Sequence, residues 1–212
     1  MWNTKEEIGA NPHLSEDVPG GLRVGDINGD KVIDDKDRTV IGDPFPDFTW
    51  GLTNTFKWKN FDLYVMIQGV QGIDVFNGDG YYNESKRFNR NYVKDRWISA
   101  DFPGDGKTPY FTNGVSWQLT DYMIEGGSYV ALRDVVLGYT FDKKTLKKIG
   151  ISSLRLYASG QNLLHISPKN YRGINPEARM TSGNYSSPLV SGYQRGGFPL
   201  QSVVTLGFEL NF

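Results

Sequence analysis

The sequence predicts an all-β chain of about five antiparallel strands, and three observations carry that reading. Apolar residues recur with a period of two over several stretches of roughly ten residues, the mark of strands with one buried and one polar face. Helical periodicity is weak almost everywhere, with its best candidates at Tyr81 to Ile98 and in the short stretch Lys143 to Ile149. The connections between the strand segments alternate short and long, so every long one falls at the same end of the strands.

The first strand is Phe48 to Trp58. Phe48, Trp50, Leu52, Phe56 and Trp58 share a face broken only by Asn54, while Thr49, Gly51, Thr53, Thr55 and Lys57 share the other. Lys59-Asn60 is a very short connection into the second, Phe61 to Val70, where Phe61, Leu63, Val65 and Ile67 align with Gly69. The third, Tyr129 to Phe141, is rich in aromatic and β-branched residues, which suit a pleated surface. Its alternation changes phase around Arg133-Asp134, which predicts a bulge. Leu154 to Leu164 is the fourth. In the last, Val203 to Phe212, Val204, Leu206, Phe208, Leu210 and Phe212 share a face opposite Val203, Thr205, Gly207, Glu209 and Asn211.

A soluble sandwich and a membrane barrel both bury one face of each strand, so alternation alone does not choose between them. The connections favour the barrel. Lys59-Asn60 and the turn from Asp142 to Ser153 are short, whereas Gln71 to Ser128 and His165 to Ser202 are long. Transmembrane barrels have short turns at one end and long loops at the other. The strand lengths suit the roughly 9–11 residues needed to span a bilayer. Trp50, Trp58, Tyr139 and Phe141 lie near strand ends, where interfacial aromatic girdles sit.

Composition bounds the function. Lys plus Arg is 23 and Asp plus Glu is 24 in 212 residues, a formal net charge of -1, which removes the electrostatic case for nucleic-acid binding. Without cysteine, a disulfide scaffold, a thiol nucleophile and a Cys-ligated zinc site are excluded. There are 25 glycines, above the roughly 7% of average proteins, and 14% of residues are aromatic. The opening Met1-Trp2-Asn3-Thr4-Lys5-Glu6-Glu7 has neither the basic nor the apolar region of a secretory leader.

The sharpest chemical motif runs from Asp26 to Asp37. Asp26, Asn28, Asp30, Asp34 and Asp37 stand at positions 1, 3, 5, 9 and 12 of a twelve-residue loop, with the backbone carbonyl of Val32 at position 7. Calcium takes six to eight oxygens, and this spacing wraps them around one centre. Lys31 stands where a glycine usually makes the sharp turn, and Asp37 is shorter than the usual Glu. Two readings stand: a Ca2+ site, or an Asx-rich surface turn without metal.

Gly104-Asp105-Gly106-Lys107-Thr108 looks like the end of a phosphate loop, but Asp101 occupies the place of its first glycine and Pro109 blocks a following helix. It reads as a Gly/Pro loop. The two histidines, His13 and His165, are far apart, and Gly114-Val115-Ser116-Trp117-Gln118 breaks the nucleophile-elbow pattern. No catalytic residues are expected, and the chain reads as no enzyme. The long connections carry many rings: Tyr81, Tyr82, Phe88, Tyr92, Trp97, Phe102, Tyr110, Phe111 and Trp117 in one, Tyr171, Tyr185, Tyr193 and Phe198 in the other. Such rings either stack on a sugar or peptide ligand or pack the loops.

Gly25-Asp26-Ile27-Asn28-Gly29-Asp30 through Arg38, followed by Ile41-Gly42-Asp43-Pro44-Phe45-Pro46-Asp47-Phe48, resembles the C-terminal region of SusC/RagA-type TonB-dependent outer-membrane transporters of Bacteroidetes. The likeness continues through Asn60-Phe61-Asp62-Leu63, Gln68-Gly69, Ile124-Glu125-Gly126-Gly127-Ser128-Tyr129 and Leu132-Arg133-Asp134-Val135-Val136-Leu137-Gly138-Tyr139. It ends with Ser159-Gly160-Gln161-Asn162-Leu163-Leu164 and the terminal aromatic Phe212.

The resemblance implies the C-terminal part of a barrel of about 22 strands, in the cell outer membrane and in contact with its lipid. Such a protein imports oligosaccharides, peptides or other nutrients, with a SusD-like surface lipoprotein as lid and energy from the TonB complex. It implies that plug, TonB box, signal peptide and earlier strands lie outside this sequence, residues 1–47 being an extracellular loop and 48–212 barrel strands and loops. Phe212 is then expected to be read by the barrel-assembly machinery. With Phe212 at the periplasm, Lys59-Asn60 and Asp142 to Ser153 are periplasmic, and the long loops are extracellular. The alternative is a soluble calcium-dependent carbohydrate-binding β-sandwich.

Overall fold

A computed structural model of the chain describes residues 1–78, 95–110, 120–147, 150–177, 192–194 and 197–212. Its described helices include α1 (Lys5–Gly9) and α2 (Lys143–Leu146). Its strands are β1 (Phe48–Trp58), β2 (Phe61–Gln71), β3 (Asp74–Asn77), β4 (Ile124–Gly126), β5 (Tyr129–Thr140), β6 (Ser153–Ile166), β7 (Tyr193–Gln194) and β8 (Val203–Asn211). The five expected strands are β1, β2, β5, β6 and β8. The three short ones carry too few residues for a period of two to register. No described helix is long and apolar enough to cross a membrane.

Of the helix expected at Tyr81 to Ile98, residues 81–94 lie outside the described ones. Asp95 is helical, as expected, but from Arg96, which is bridged to Thr108, the chain is extended, and the Trp97 N–H donates to the Thr108 carbonyl at 2.8 Å. Of the stretch Lys143 to Ile149, α2 forms the first turn, and Lys148 and Ile149 lie outside the described residues. In α1, Thr4 caps the helix by accepting from the Glu7 N–H at 3.1 Å.

The chain divides into two compact units. The first comprises residues 1–43, 75–125 and 179–196. Its small sheet has the order β4-β3-β7, with β3 and β7 parallel. Trp2 and Met123 are fully buried, with Val75 and Trp97 nearly so. Trp2 is fixed from both sides of its own peptide, donating to Gly21 O at 3.0 Å and accepting from the Gly20 N–H at 2.6 Å. Gly20 adopts φ 83°, and a Cβ there would come within 2.4 Å of the Trp97 ring, so the close approach requires glycine.

The second unit comprises residues 44–74, 126–178 and 197–212 and holds the five-stranded sheet in the order β1-β2-β5-β6-β8, all neighbours antiparallel. Its register aligns the apolar positions of all five strands. Trp58, Phe61, Tyr139, Leu156 and Phe208 form one row, and Phe56, Leu63, Leu137, Ala158 and Leu206 form the next. The row through Lys57, Asp62, Gly138, Tyr157 and Gly207 lies on the opposite face.

The expected bulge is present. Leu132 pairs with Ile67 and Asp134 with Met66, leaving Arg133 as the extra residue. Leu132 and Val135 therefore both stay on the apolar face, with two charged residues between them. On the next strand the register shifts at the same height, and Asn162 takes φ 49°.

A sandwich would cover the apolar face with a second sheet. Here Phe56, Leu206 and Phe208 are 57%, 81% and 69% exposed. Burying such a face in water-excluded surroundings is worth about 25 cal/mol per Å2, so the arrangement suits lipid on that side. Among the described residues, Val70, Tyr129 and Ala131 form a buried cluster of the sheet, with Ile73 against it.

Candidate functional site

The acidic loop lies in the first unit, and its carboxylates are engaged with its own backbone. Asp26 accepts the N–H groups of Gly29 and Lys31 at 2.7 and 2.8 Å, and Asp30 accepts from Val32 at 2.9 Å. Asn28 accepts from the Asp30 N–H at 2.8 Å, and Asp34 from that of Lys36 at 2.8 Å. Asp37 closes the loop, accepting from Ile27 with one oxygen and from Asp34 with the other, each at 2.8 Å.

The N–H of Asp34, joined by those of Ile27 and Asn28, holds the Asp37 carboxyl below its ordinary range. Lys31 adopts φ 67°, so the residue that departs from the glycine pattern still makes the left-handed turn required at that place. The Lys36 ammonium lies 3.8 Å from Asp30 and 3.6 Å from Asp34. Among the described residues, no three acidic or histidine side chains converge in a metal-ligating arrangement.

The Gly104 to Thr108 loop is a turn capped by its own acid. Asp105 accepts the N–H groups of Lys107 and Thr108 at 2.8 and 2.7 Å and the Thr108 hydroxyl at 2.9 Å. Those N–H groups are the donors a phosphate would need, and a carboxylate already holds them.

Of the rings, Trp97 is buried and meets Tyr110 edge-on at 6.1 Å, while Tyr193 stacks on Phe76 at 5.3 Å. These three pack the loops. Phe102 and Phe198 are exposed. Tyr81, Tyr82, Phe88, Tyr92, Phe111, Trp117 and Tyr185 lie outside the described residues.

The polar face of the sheet carries two charged clusters that residue-by-residue reading of the sequence did not assign. In the first, Arg155 on β6 reaches across β5 to Asp62 on β2, donating from Nε at 3.2 Å and from Nη2 at 2.7 Å. It also donates to Glu209 on β8 at 3.0 Å. Gly138 lies beneath this pair, and a Cβ there would fall 2.5 Å from the Asp62 carboxylate and 2.6 Å from the Arg155 guanidinium. The fork-to-carboxylate geometry ties together strands that are not neighbours.

The second cluster surrounds the bulge. Arg133 donates to Gln68 at 2.8 Å, to Asn162 at 3.2 Å and to Glu177 at 2.5 Å, and its guanidinium lies 5.7 Å from the Tyr129 ring centroid. Tyr129 in turn stacks on His165 at 5.0 Å. His165 Nε2 and Glu177 Oε1 are buried 3.4 Å apart without hydrogen-bond geometry. Each strand contributor falls in a motif already noted: Gln68-Gly69, Leu132-Arg133-Asp134 and Gly160-Gln161-Asn162. The sequence signal was the phase change at Arg133. Its meaning emerges only when four distant segments meet there.

An antiparallel sheet with a registered apolar face, a polar face of paired charges, and alternating short and long connections defines part of the wall of a transmembrane β-barrel. No protein-family model matches the sequence. The chain is 32% identical over 221 residues to "TonB-dependent receptor P26" of Formosa agariphila, an alignment covering 100% of this chain and 21% of that protein. It is 27% identical over 193 residues to "TonB-dependent receptor SusC" of Bacteroides thetaiotaomicron, covering 88% of this chain and 17% of SusC.

Among solved structures, the RagAB peptide transporter superposes with a TM-score of 0.62 at 20% identity, covering 80% of this chain and 17% of that one. The RagAB peptide importer in its open-open state gives 0.60 at 20% identity over 79% of this chain and 17% of that one. The chain is of the SusC/RagA type of TonB-dependent receptor, an outer-membrane class. It spans about a fifth of the length of the curated relatives it matches.

Proposed function

We propose that the chain builds part of the wall of an outer-membrane importer that admits oligosaccharides or peptides. A SusD-like lipoprotein closes it from outside, and the TonB complex supplies the energy. The observation that carries this reading is the two-faced register of the sheet: an apolar face for lipid, interrupted on β1 by Asn54, backed by a face whose arginines are paired with carboxylates and amides. A solute passing along that second face meets polar groups that are satisfied yet able to exchange partners. Relatives named as receptors, transporters and importers support transport over catalysis.

Within this reading Phe212, exposed at the end of the apolar face, is the residue the barrel-assembly machinery reads. The Asp26 to Asp37 loop is the part that takes Ca2+. Its donor set fits a hard cation: Asp26, Asn28, Asp30, Asp34 and Asp37 supply side-chain oxygens, Val32 supplies a carbonyl, and Lys31 makes the turn. The ion would take over the charge balance that Lys36 now gives Asp30 and Asp34, and millimolar calcium would fill even a weak site.

The test is uptake by cells lacking the gene. Import of labelled oligosaccharides or of labelled peptides should fall to background and return on complementation. Unchanged import of both, with the protein absent from the outer-membrane fraction, would overturn the reading.

A further inference from the structure

The near-zero net charge conceals a division along the strands. The two short turns, Lys59-Asn60 and the segment from Asp142 to Ser152, contain five lysines and one carboxylate. The two long segments that join the strands at their other ends contain 10 basic and 9 acidic residues, residues 1–47 ahead of β1 contain 5 and 11, and the strands themselves balance at three of each. The short-turn end therefore carries nearly all of the positive excess. Asp142, its one acid, is already engaged, accepting from the Asn60 amide at 3.2 Å.

A second, independent feature lies at the same height. Trp58, Phe61, Tyr139 and Phe141 form a continuous ladder with centroid separations of 6.4, 4.8 and 5.0 Å. Trp58 and Phe61 remain 67% and 44% exposed on the apolar face. Amphipathic and aromatic rings of this kind settle at the boundary between acyl chains and head groups. The Lys59 ammonium lies 4.9 Å from the Trp58 ring centroid, on the ring that marks that boundary. Lys143, Lys144 and Lys147 are exposed on and just after α2. Lysines so placed extend their stems along apolar surface and their charges into the head-group layer.

We propose that this rim binds the phosphate of anionic phospholipid head groups in the leaflet next to the short turns, with Lys59 as the contact nearest the bilayer. The proposal rests on the barrel reading above. Charge complementarity selects the occupant: a zwitterionic head group offers no net attraction, whereas each lysine near an anionic surface adds to binding until salt screens it.

The experiment uses the protein extracted from the outer membrane in detergent and reconstituted in bilayers of phosphatidylcholine with a minor share of spin-labelled lipid. Spin-labelled phosphatidylglycerol should be enriched beside the protein about threefold or more over spin-labelled phosphatidylcholine, an order set by a few surface lysines. The enrichment should decline towards unity at 1 M salt. It should also vanish in the combined Lys59→Gln, Lys143→Gln, Lys144→Gln, Lys147→Gln variant, while the heat-induced shift in gel mobility stays unchanged. Lys59→Gln alone should remove the largest single share.

Equal association of the two labelled lipids with wild-type protein overturns the proposal and assigns the lysines to an acidic protein partner. Persistence of the preference in the combined variant overturns it too. A protein with no motionally restricted lipid of either kind would instead defeat the barrel reading itself, so the two failures are distinct.

Discussion

Arg133 and Glu177 are joined by a charge-assisted hydrogen bond of 2.5 Å across 44 positions of sequence, with only 16% and 24% of their side chains exposed. The arginine is the inserted residue of the β5 bulge, and the glutamate follows β6 in the segment 167–177. The bulge thus gives the polar face a donor that reaches beyond the sheet. Arg133→Ala leaves a half-buried carboxylate without its cation and should cost about 1–3 kcal/mol. Glu177→Gln keeps an acceptor and should cost about half as much. Unfolding in urea from detergent micelles measures both, and equal, negligible losses would contradict a tethering role.

Gly69 faces Trp50 directly across β1 and β2, and a Cβ at Gly69 would lie 2.2 Å from the indole. Gly69→Ala should displace that ring and cost about 1–3 kcal/mol. Gly51 is the control, since its nearest neighbour would be the Ile67 carbonyl at 3.9 Å. Gly51→Ala should be close to neutral, both variants being compared by urea unfolding from detergent micelles.

Leu206 and Thr205 are adjacent on β8 and face opposite sides of the sheet. Arginine at Leu206 should destabilise the protein in lipid vesicles by about 2–4 kcal/mol, the cost of a guanidinium near the bilayer midplane. Thr205→Arg should be tolerated, because its neighbours across β6 and β5 lie on the polar face. Equal costs for the two variants in urea titrations would show that the apolar face does not contact lipid.

The strands were legible because lipid demands a period of two over ten residues, and that pattern survives any averaging. The phase change at Arg133 was visible for the same reason: Leu132 and Val135 must both face outward. Its chemistry was not visible, since Gln68, Asn162 and Glu177 reach Arg133 only through the register of three strands and a following segment. The pairing of Asp62 with Arg155 was hidden likewise, because each is an isolated charge in its own strand and β5 lies between them. The acidic loop was the reverse case. Its spacing was plain, yet Lys31 looked like a defect until its φ of 67° placed it in the required conformation.

That conformation yields a separate expectation. A lysine in the left-handed region costs about 1–2 kcal/mol relative to the ordinary helical one, and glycine avoids that cost while losing more chain entropy. Lys31→Gly should therefore stabilise the loop by up to about 1 kcal/mol. If the loop takes calcium, the same change should tighten terbium binding, read by luminescence sensitised from aromatic residues. Weaker terbium binding in the variant would show that the lysine contributes something beyond its backbone.

Asp105 sets a pH limit on the first unit. Burial raises its carboxyl, but the N–H groups of Thr108 and Lys107, the Thr108 hydroxyl and the Lys107 charge together outweigh that, and the group titrates below its ordinary value. A depressed acid favours the folded state wherever its carboxylate is charged. Its contribution is therefore complete above the unfolded value of about 3.9 and is lost as pH falls through the lower folded value. Amide exchange at Lys107 and Thr108 should accelerate, relative to the intrinsic rate, on acidification below about pH 4. Asp105→Asn should already show the faster relative exchange at neutral pH and little further change on acidification. A variant that kept the wild-type acid dependence would assign it to a different carboxylate.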